Sequence, residues 1–507
     1  MFQWVANLFG RKSEAELKRL KVQGYVTSER YRNIKAKYDA AQVTDQNRRH
    51  WANADALSAR AANSLAVRDR LRKFSRYEVA NNCHARGITL TMANDIIGTG
   101  ARLQCLYEDE AVCDAIETSW NEWADAVFLA EKLHTFMLAT VVDGEAFALL
   151  TNNPSLVSSV QLDIQLVDCD QITSGDTPTN TANWVDGIEF DANNDPFVYH
   201  MLSQHPGDGG LSLGSNKIQR IPARYMIHWF RKDRPLQARG VPEITPALPI
   251  FSQLRRYTLA VLMAAEIAAN FSLFIQTESP PADGDPIPSA FDSTDIDKGM
   301  MTALPSGYKA FQLRAEQPAA SHDQFTKTLL REAAHCLNIP YSIATSDFSE
   351  DSYSSGRLAQ NVYRRYVDVY RKHLVNRVLD RIFAAWLAEA TLTDDRLPAD
   401  LPSYVGSVPH TWFFDEWTSI DPLKEANATQ IELLTGTTTL ADELSKRGKD
   451  WRKSMLQTAK EYEIKRENNM LVLPPGTPAL DGTGYPQDST PASAKPDTAP
   501  ATTGAKK

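Results

Sequence analysis

Hydrophobic and polar positions repeat with two different periods along this chain, and the changes of period divide it. Residues 14–80 are good helix formers with few glycines and no proline, and the helical pattern runs on through Asp69 to Asn81. Gly98-Thr99-Gly100 marks a turn, and Asp109 to Thr140, rich in Ala, Leu and Trp (Trp120, Trp123), reads as a helical pair. From Val141 the apolar runs become short and β-branched or aromatic: Phe147 to Leu150, Val160 to Val167, Trp184 to Phe190, Phe197 to Leu202 and Tyr225 to Phe230. Asn193-Asn194-Asp195 is turn chemistry, which predicts a hairpin over Gly187 to Leu202 inside a β-rich insert.

Helical periodicity returns from Pro246 to Phe271. This helix is apolar nearly all round between Arg256 and Glu266, so it is expected to be buried on most sides. Residues 272–321 are broken by Pro and Gly and rich in Asp, as expected of a small loop or α/β module. A helix follows over 322–338, then a polar loop from Ser342 to Ser355, then the longest helix, Gly356 to Ala390, stopped before Pro398 and Pro402. Asp421-Pro422 is a start signal for an array of short helices over 421–470, with turns at Thr437 to Thr439 and at Arg447-Gly448-Lys449-Asp450. Residues 474–507 are Pro/Thr/Ala/Gly/Ser-rich and too poor in large apolar side chains to offset the entropy of ordering. The fold class expected is α+β, mainly helical.

The 507 residues allow two to four domains, and 43% apolar content supports a sizeable core. The net charge of -9 argues against a generic nucleic-acid binder, but it is unevenly spread. Residues 1–80 hold 17 Lys/Arg against 8 Asp/Glu, leaving -18 on the remainder. A basic arm, residues 1–50, on an acidic body suggests separate partners. Five cysteines without a C-x-x-C fit a reducing compartment. The opening residues place Phe2, Val5 and Phe9 ahead of Arg11-Lys12, the reverse of a secretory signal. The run Leu259 to Ala265 is stopped by Glu266, so no membrane span is expected.

The chain carries no G-x-S-x-G, G-x-x-x-x-G-K-[ST] or H-E-x-x-H, so no nucleophile elbow, phosphate loop or zinc helix is expected. Its histidines are scattered. His200 and His205 have no Cys or carboxylate cluster at metal spacing, and His228 lies in an aromatic strand as a core histidine would. No enzyme activity, metal or cofactor is expected. Ser354, Ser355 and Asp347 share a polar loop without a nearby histidine to make a triad.

Two constellations remain. Arg357, Arg364 and Arg371 recur every seven residues on one face of the long helix, widened by Arg365, Lys372, Arg377 and Arg381. That face suits phosphate or an acidic neighbouring subunit, or simply pairs locally with Asp368. The second is acidic: Asp283, Asp285, Asp292, Asp295 and Asp297, which would repel phosphate if turned towards DNA.

The order of several short stretches adds more. They are Gly187-Ile188-Glu189-Phe190-Asp191 with Tyr199-His200; Ile227-His228-Trp229-Phe230 with Arg234-Pro235 and Gln237-Ala238-Arg239-Gly240-Val241-Pro242; Ile339-Pro340-Tyr341 with Ser346-Asp347-Phe348-Ser349, Tyr353-Ser354-Ser355 and Arg357; and Trp417 with Asp421-Pro422 and Lys424-Glu425. In this order, over about residues 50–470, the chain resembles the lambda-type portal proteins of tailed phages.

That resemblance implies a ring, usually of twelve copies, at one vertex of the virion head, assembled in the host cytoplasm. Double-stranded DNA would enter and leave through its channel. The packaging motor (terminase), the head-tail joining proteins and the capsid or scaffolding protein would be its partners. It also implies a portal-type subunit: wing over 51–245, stem helices over 246–271 and 322–338, and the acidic module, 272–321, as clip. The segment 339–355 would be the channel loop, carrying Asp347, Phe348, Ser349, Tyr353, Ser354 and Ser355. A wing helix and following segment would fill 356–420, with crown helices over 421–473. The competing reading is a head-tail adaptor or collar protein that does not enclose DNA.

Overall fold

The computed structural model describes residues 48–174, 183–208, 217–270, 274–277, 308–311, 322–402, 404, 406–415, 417, 422–447, 449, 451–468 and 470. The chain divides into two units, Met1–Ala62 and Asn63–Lys507. In the described part of the first, the helix expected over 14–80 is interrupted. Asp55 turns the chain by accepting from the Leu57 N–H, and Ser58 caps a new turn by accepting from the Ala61 N–H. A single turn, Ala59–Ala62, is what forms.

The second unit begins with α1 (Leu65–Asn81) and α2 (Cys83–Ile97). They are separated by Asn82, which ends the first and caps the second by accepting from the N–H groups of His84 and Ala85. Strand β1 (Arg102–Cys105) leads to α3 (Glu110–Ala126) and α4 (Leu129–Asp143), the expected helical pair. Next come β2 (Glu145–Asn152) and β3 (Leu162–Val167), then β4 (Trp184–Val185), β5 (Ile188–Phe190), β6 (Pro196–Leu202), β7 (Ile218–Pro222) and β8 (Met226–Phe230). They form two antiparallel sheets, ordered β3-β2-β8 and β4-β5-β6-β7. The expected hairpin is β5–β6, and its turn residue Asn194 sits at φ 64°.

Helix α5 (Leu248–Asn270) is entered through the turn Thr245–Ala247. Strands β9 (Phe274–Thr277) and β10 (Tyr308–Phe311) pair antiparallel. The acidic residues Asp283, Asp285, Asp292, Asp295 and Asp297 lie outside the described residues. Helix α6 (His322–His335) packs on α5, with Tyr257 meeting His322 and Phe325.

The loop expected over 342–355 is shorter than the polar composition suggested. Helix α7 (Tyr341–Thr345) takes its first part, and α8 begins at Tyr353 because Ser352 and Ser355 cap one another's backbone N–H groups. The free loop is 346–352, and Ser354 and Ser355 stand in the first turn of α8. Helix α8 (Tyr353–Leu374) continues through a π-helical segment, Val375–Leu379, into α9 (Asp380–Thr393). Strand β11 (His410–Phe413) pairs with β1, and α10 (Pro422–Thr435), α11 (Leu440–Lys446) and α12 (Trp451–Glu467) follow. These three break at the two turns the sequence marks.

The main core lies between α2, α3, α4, α8 and α9. Its centre is aromatic: Trp120 packs 4.8 Å from Trp123 and 5.3 Å from Trp386, with Phe383 and Trp412 edge-on. A smaller core under Phe147, Tyr199 and Met226 joins the two sheets. The expected burial of α5 does not occur within the chain. Leu259, Leu262 and Met263 in its middle stand 56%, 55% and 60% exposed.

Candidate functional site

The loop 346–352 is held from one side by charge. Lys327 on α6 pairs with Asp323 one turn before it and with Glu350, each at 3.0 Å, and approaches Asp347 at 3.8 Å. Arg331, one turn further, reaches Glu350 at 2.5 Å and stacks over the Tyr341 ring. Asp347 accepts from the Ser349 hydroxyl and N–H and from the Tyr341 hydroxyl. These bonds hold the Asp347 carboxyl below its usual range, and Lys327 and Arg331 do the same for Glu350. Phe348 is left 62% exposed at the tip, and Tyr353 is exposed beside Lys424. The loop thus presents an aromatic tip from a base whose carboxylates are paired by cations of α6.

The three arginines of the long helix sit in different surroundings. Arg357 is exposed. Arg364 lies over Trp417, 5.5 Å from the ring centre. Arg371 is half-buried: it donates to the carbonyls of Asp95 and Ile96 at the end of α2 and covers Phe414 and Trp417. Its cation helps bind α8 to α2. Gly98 allows this junction, since a Cβ there would lie 2.3 Å from the Asp415 carboxylate that takes the Thr99 N–H and hydroxyl. Arg364, Arg371 and Lys372 line a cleft of about 520 Å³ with Asp368, Asp415, Glu425, Glu443 and Arg447. Both signs of charge meet in it.

A third cluster was not legible in the sequence. Glu145, fully buried at the start of β2, accepts from Arg72, Arg239, His228 and the Gly240 N–H. Burial by itself would raise its pKa, but the cations of Arg239 and Arg72, with the His228 bond, hold it well below the usual range. With two arginines already on the carboxylate, His228 stays neutral: burial lowers it to about 4 despite the Glu145 bond. Arg68 reaches Asp186, and Arg239 donates to the carbonyls of Cys169, Ile172 and Asp186. The backbones of Gly144 and Gly240 touch so closely that a Cβ on Gly240 would lie 1.9 Å from the Gly144 oxygen. The cluster thereby ties α1, the α4–β2 corner and the two sheets together. The one signal for it was Gln237-Ala238-Arg239-Gly240, which carried the resemblance without saying what it contacts.

Asp168 and Asp170 converge with His205, each at 3.7 Å from its Nε2. Arg76 and Arg72 already pair with these carboxylates, at 2.7 Å and 2.9 Å on Asp170. The carboxylates of this trio are thus already ion-paired by guanidinium. Among the described residues no helix is long and apolar enough to cross a membrane.

Comparison with known proteins matches residues 45–371, more than half of the chain, to the phage portal protein, lambda family. A probable portal protein of Halomonas phage phiHAP-1 is 24% identical over 409 residues, covering 75% of this chain and 77% of that one. The portal protein of Escherichia phage N15 is 22% identical over 442 residues, 76% and 83% of the two chains. Among solved structures, a chain in the neck of a native gene transfer agent particle is similar, with 13% identity and a TM-score of 0.43. The match covers 72% of this chain and 89% of that one.

Proposed function

The chain belongs to the lambda family of phage portal proteins, a structural and not an enzymatic family whose members typically form the DNA-packaging conduit, and from that premise we propose how this subunit builds its ring and channel. The observation that carries the proposal is α5. Between Arg256 and Glu266 it is apolar on nearly every side, yet its own chain leaves Leu259, Leu262 and Met263 more than half exposed. A surface of that kind is costly in water and is satisfied when copies stand side by side. Stems packed in this way, in twelve copies, make a tube of α5 and α6. Contacts between unlike faces of successive copies close such a tube without leaving an end.

In this reading the loop 346–352 faces the channel, held at its base by Lys327 and Arg331, with Phe348 nearest the duplex. Asp347, Ser349, Tyr353, Ser354 and Ser355 surround it. Arg357 faces a neighbour or phosphate, whereas Arg371 and Arg364 hold the body of the subunit and shape the cleft beside the crown. The ring sits at the portal vertex of the virion, is assembled in the host cytoplasm, and meets terminase, the head-tail joining proteins and the capsid or scaffolding protein. Electron microscopy of the purified protein tests this. A twelve-fold ring with a channel wide enough for duplex DNA is expected, and a monomer or a ring too narrow for DNA overturns it. Shortening the loop 346–352 is expected to leave rings intact and impair packaging or retention of DNA.

A further inference from the structure

Among the described residues, two helices of the proposed crown carry apolar stripes that are largely exposed. On α10, Leu423, Asn427, Ile431 and Leu434 share one face, and the three apolar members are 73%, 61% and 79% exposed. On α12, Trp451, Met455, Ala459 and Tyr462 share one face, with Met455 50% and Tyr462 54% exposed. The spacing is the same on both helices: one position, then four, eight and eleven residues on. Each stripe therefore runs along about 16 Å of helix. Neither helix contributes a buried residue to the core.

The backs of the two helices are already committed. Glu425 and Thr429 of α10 turn into the cleft beside α8, and Lys453 of α12 pairs with Asp114 and Glu117 of α3. On α10 the apolar face is exposed throughout, and on α12 Met455 and Tyr462 are exposed while Trp451 is half-buried beside β1 and α3. The helices also differ in charge: α10 has one lysine against two glutamates, α12 five basic against three acidic residues. Pairing α10 with α10, or α12 with α12, sets like net charge against like. Pairing one with the other matches apolar length and opposes the charges.

We infer that in the assembled ring α10 of each copy lies along α12 of the next, Leu423–Leu434 against Trp451–Tyr462, so that the crown is closed by a helix pair shared between subunits. This rests on the ring reading above and adds to it a specific contact in a part of the chain beyond the matched family region. The contact joins unlike faces, as ring closure requires.

The test is disulfide cross-linking in the full chain, with the exposed native thiol removed by Cys83→Ser. Subunits carrying Ile431→Cys are co-assembled with subunits carrying Met455→Cys or Ala459→Cys, and the rings are oxidised with copper phenanthroline. Antiparallel helices bring Ile431 opposite Met455, and parallel helices bring it opposite Ala459. A covalent dimer that needs both variants, in one of the two mixtures, is the expected result. Intact mixed rings without a dimer in either mixture overturn this contact and leave the ring reading standing. Dimers from Ile431→Cys alone overturn it in favour of α10 against α10. A chain carrying both cysteines that cross-links only within itself also overturns it. Failure of the unmodified protein to form rings overturns both readings together.

Discussion

The region around Glu145 and the helices α5, α10 and α12 handle burial in opposite ways. Around Glu145 the subunit buries charge. Helix α1 turns Arg68, Arg72, Ser75 and Glu78 inward and leaves Phe74 and Tyr77 more than half exposed. Each inward group finds a partner: Arg68 meets Asp186, Arg72 meets Glu145, Ser75 donates to the Val142 carbonyl and Glu78 accepts from Arg255. In α5, α10 and α12 the subunit exposes apolar side chains. The first region completes a single copy; under the proposed ring, the second is completed by other copies. On that proposal, stability of the subunit and assembly of the ring are separable properties, carried by different residues.

Breaking the buried cluster gives the largest effect. Glu145→Gln leaves Arg239 buried without a counter-charge and Arg72 with Asp170 alone, and a loss of about 3–5 kcal/mol is expected in urea unfolding of the purified protein. A loss below about 1 kcal/mol would show that water reaches the cluster and that the contrast between the regions is overstated.

The next effect depends on pH. His228 has its folded pKa lowered to about 4, so the folded state keeps it neutral while the unfolded chain takes up a proton near 6.5. The neutral form's contribution is complete above pH 6.5 and is lost as pH falls towards 4, on the order of 3 kcal/mol in all. His228→Gln keeps a donor for Glu145 without titrating, so unfolding curves across this window should flatten. Unchanged pH dependence in that variant would remove His228 as the source. The lowered pKa of Glu145 acts in the same sense at lower pH, since its carboxylate contribution is lost on acidification.

A smaller change is expected from Glu350→Gln. Its partners Lys327 and Arg331 are paired at the surface, so the stability loss should be small and should shrink in high salt. Cleavage by a protease in the loop 346–352 should nevertheless become faster. Equal cleavage in both proteins would show that the charges do not hold the loop.

Least affected in stability should be Leu262→Asp on α5. The side chain is already exposed, so subunit unfolding should move by no more than about 0.5 kcal/mol, while rings should disappear from electron micrographs. Rings that survive this substitution would place the stem contact elsewhere on α5.

The element pattern was largely legible in the sequence because it depends on local chemistry. The π-interrupted rod of α8 and α9, the β5–β6 hairpin and the breaks in the crown follow from periodicity, turn residues and caps close in the chain. The loop after α7 was overestimated because polar residues belong equally to loops and to the first turn of a helix. Ser352 and Ser355 make such a turn by capping each other. The three arginines at seven-residue spacing do share a helix, but their surroundings differ. The neighbours that distinguish them, Asp95, Phe414 and Trp417, are distant in sequence.

From sequence alone came a mainly helical α+β chain, the family-like order of its short stretches, and a helix too apolar to face water. Those properties are carried by side-chain type and spacing, which need no knowledge of contacts. Only the tertiary structure decided which groups are buried. It placed Glu145 between Arg72 and Arg239, whose separations of 73 and 94 residues no periodicity can report. It also left α5 open to water. Burial is a property of the whole packed chain, which no local pattern reports.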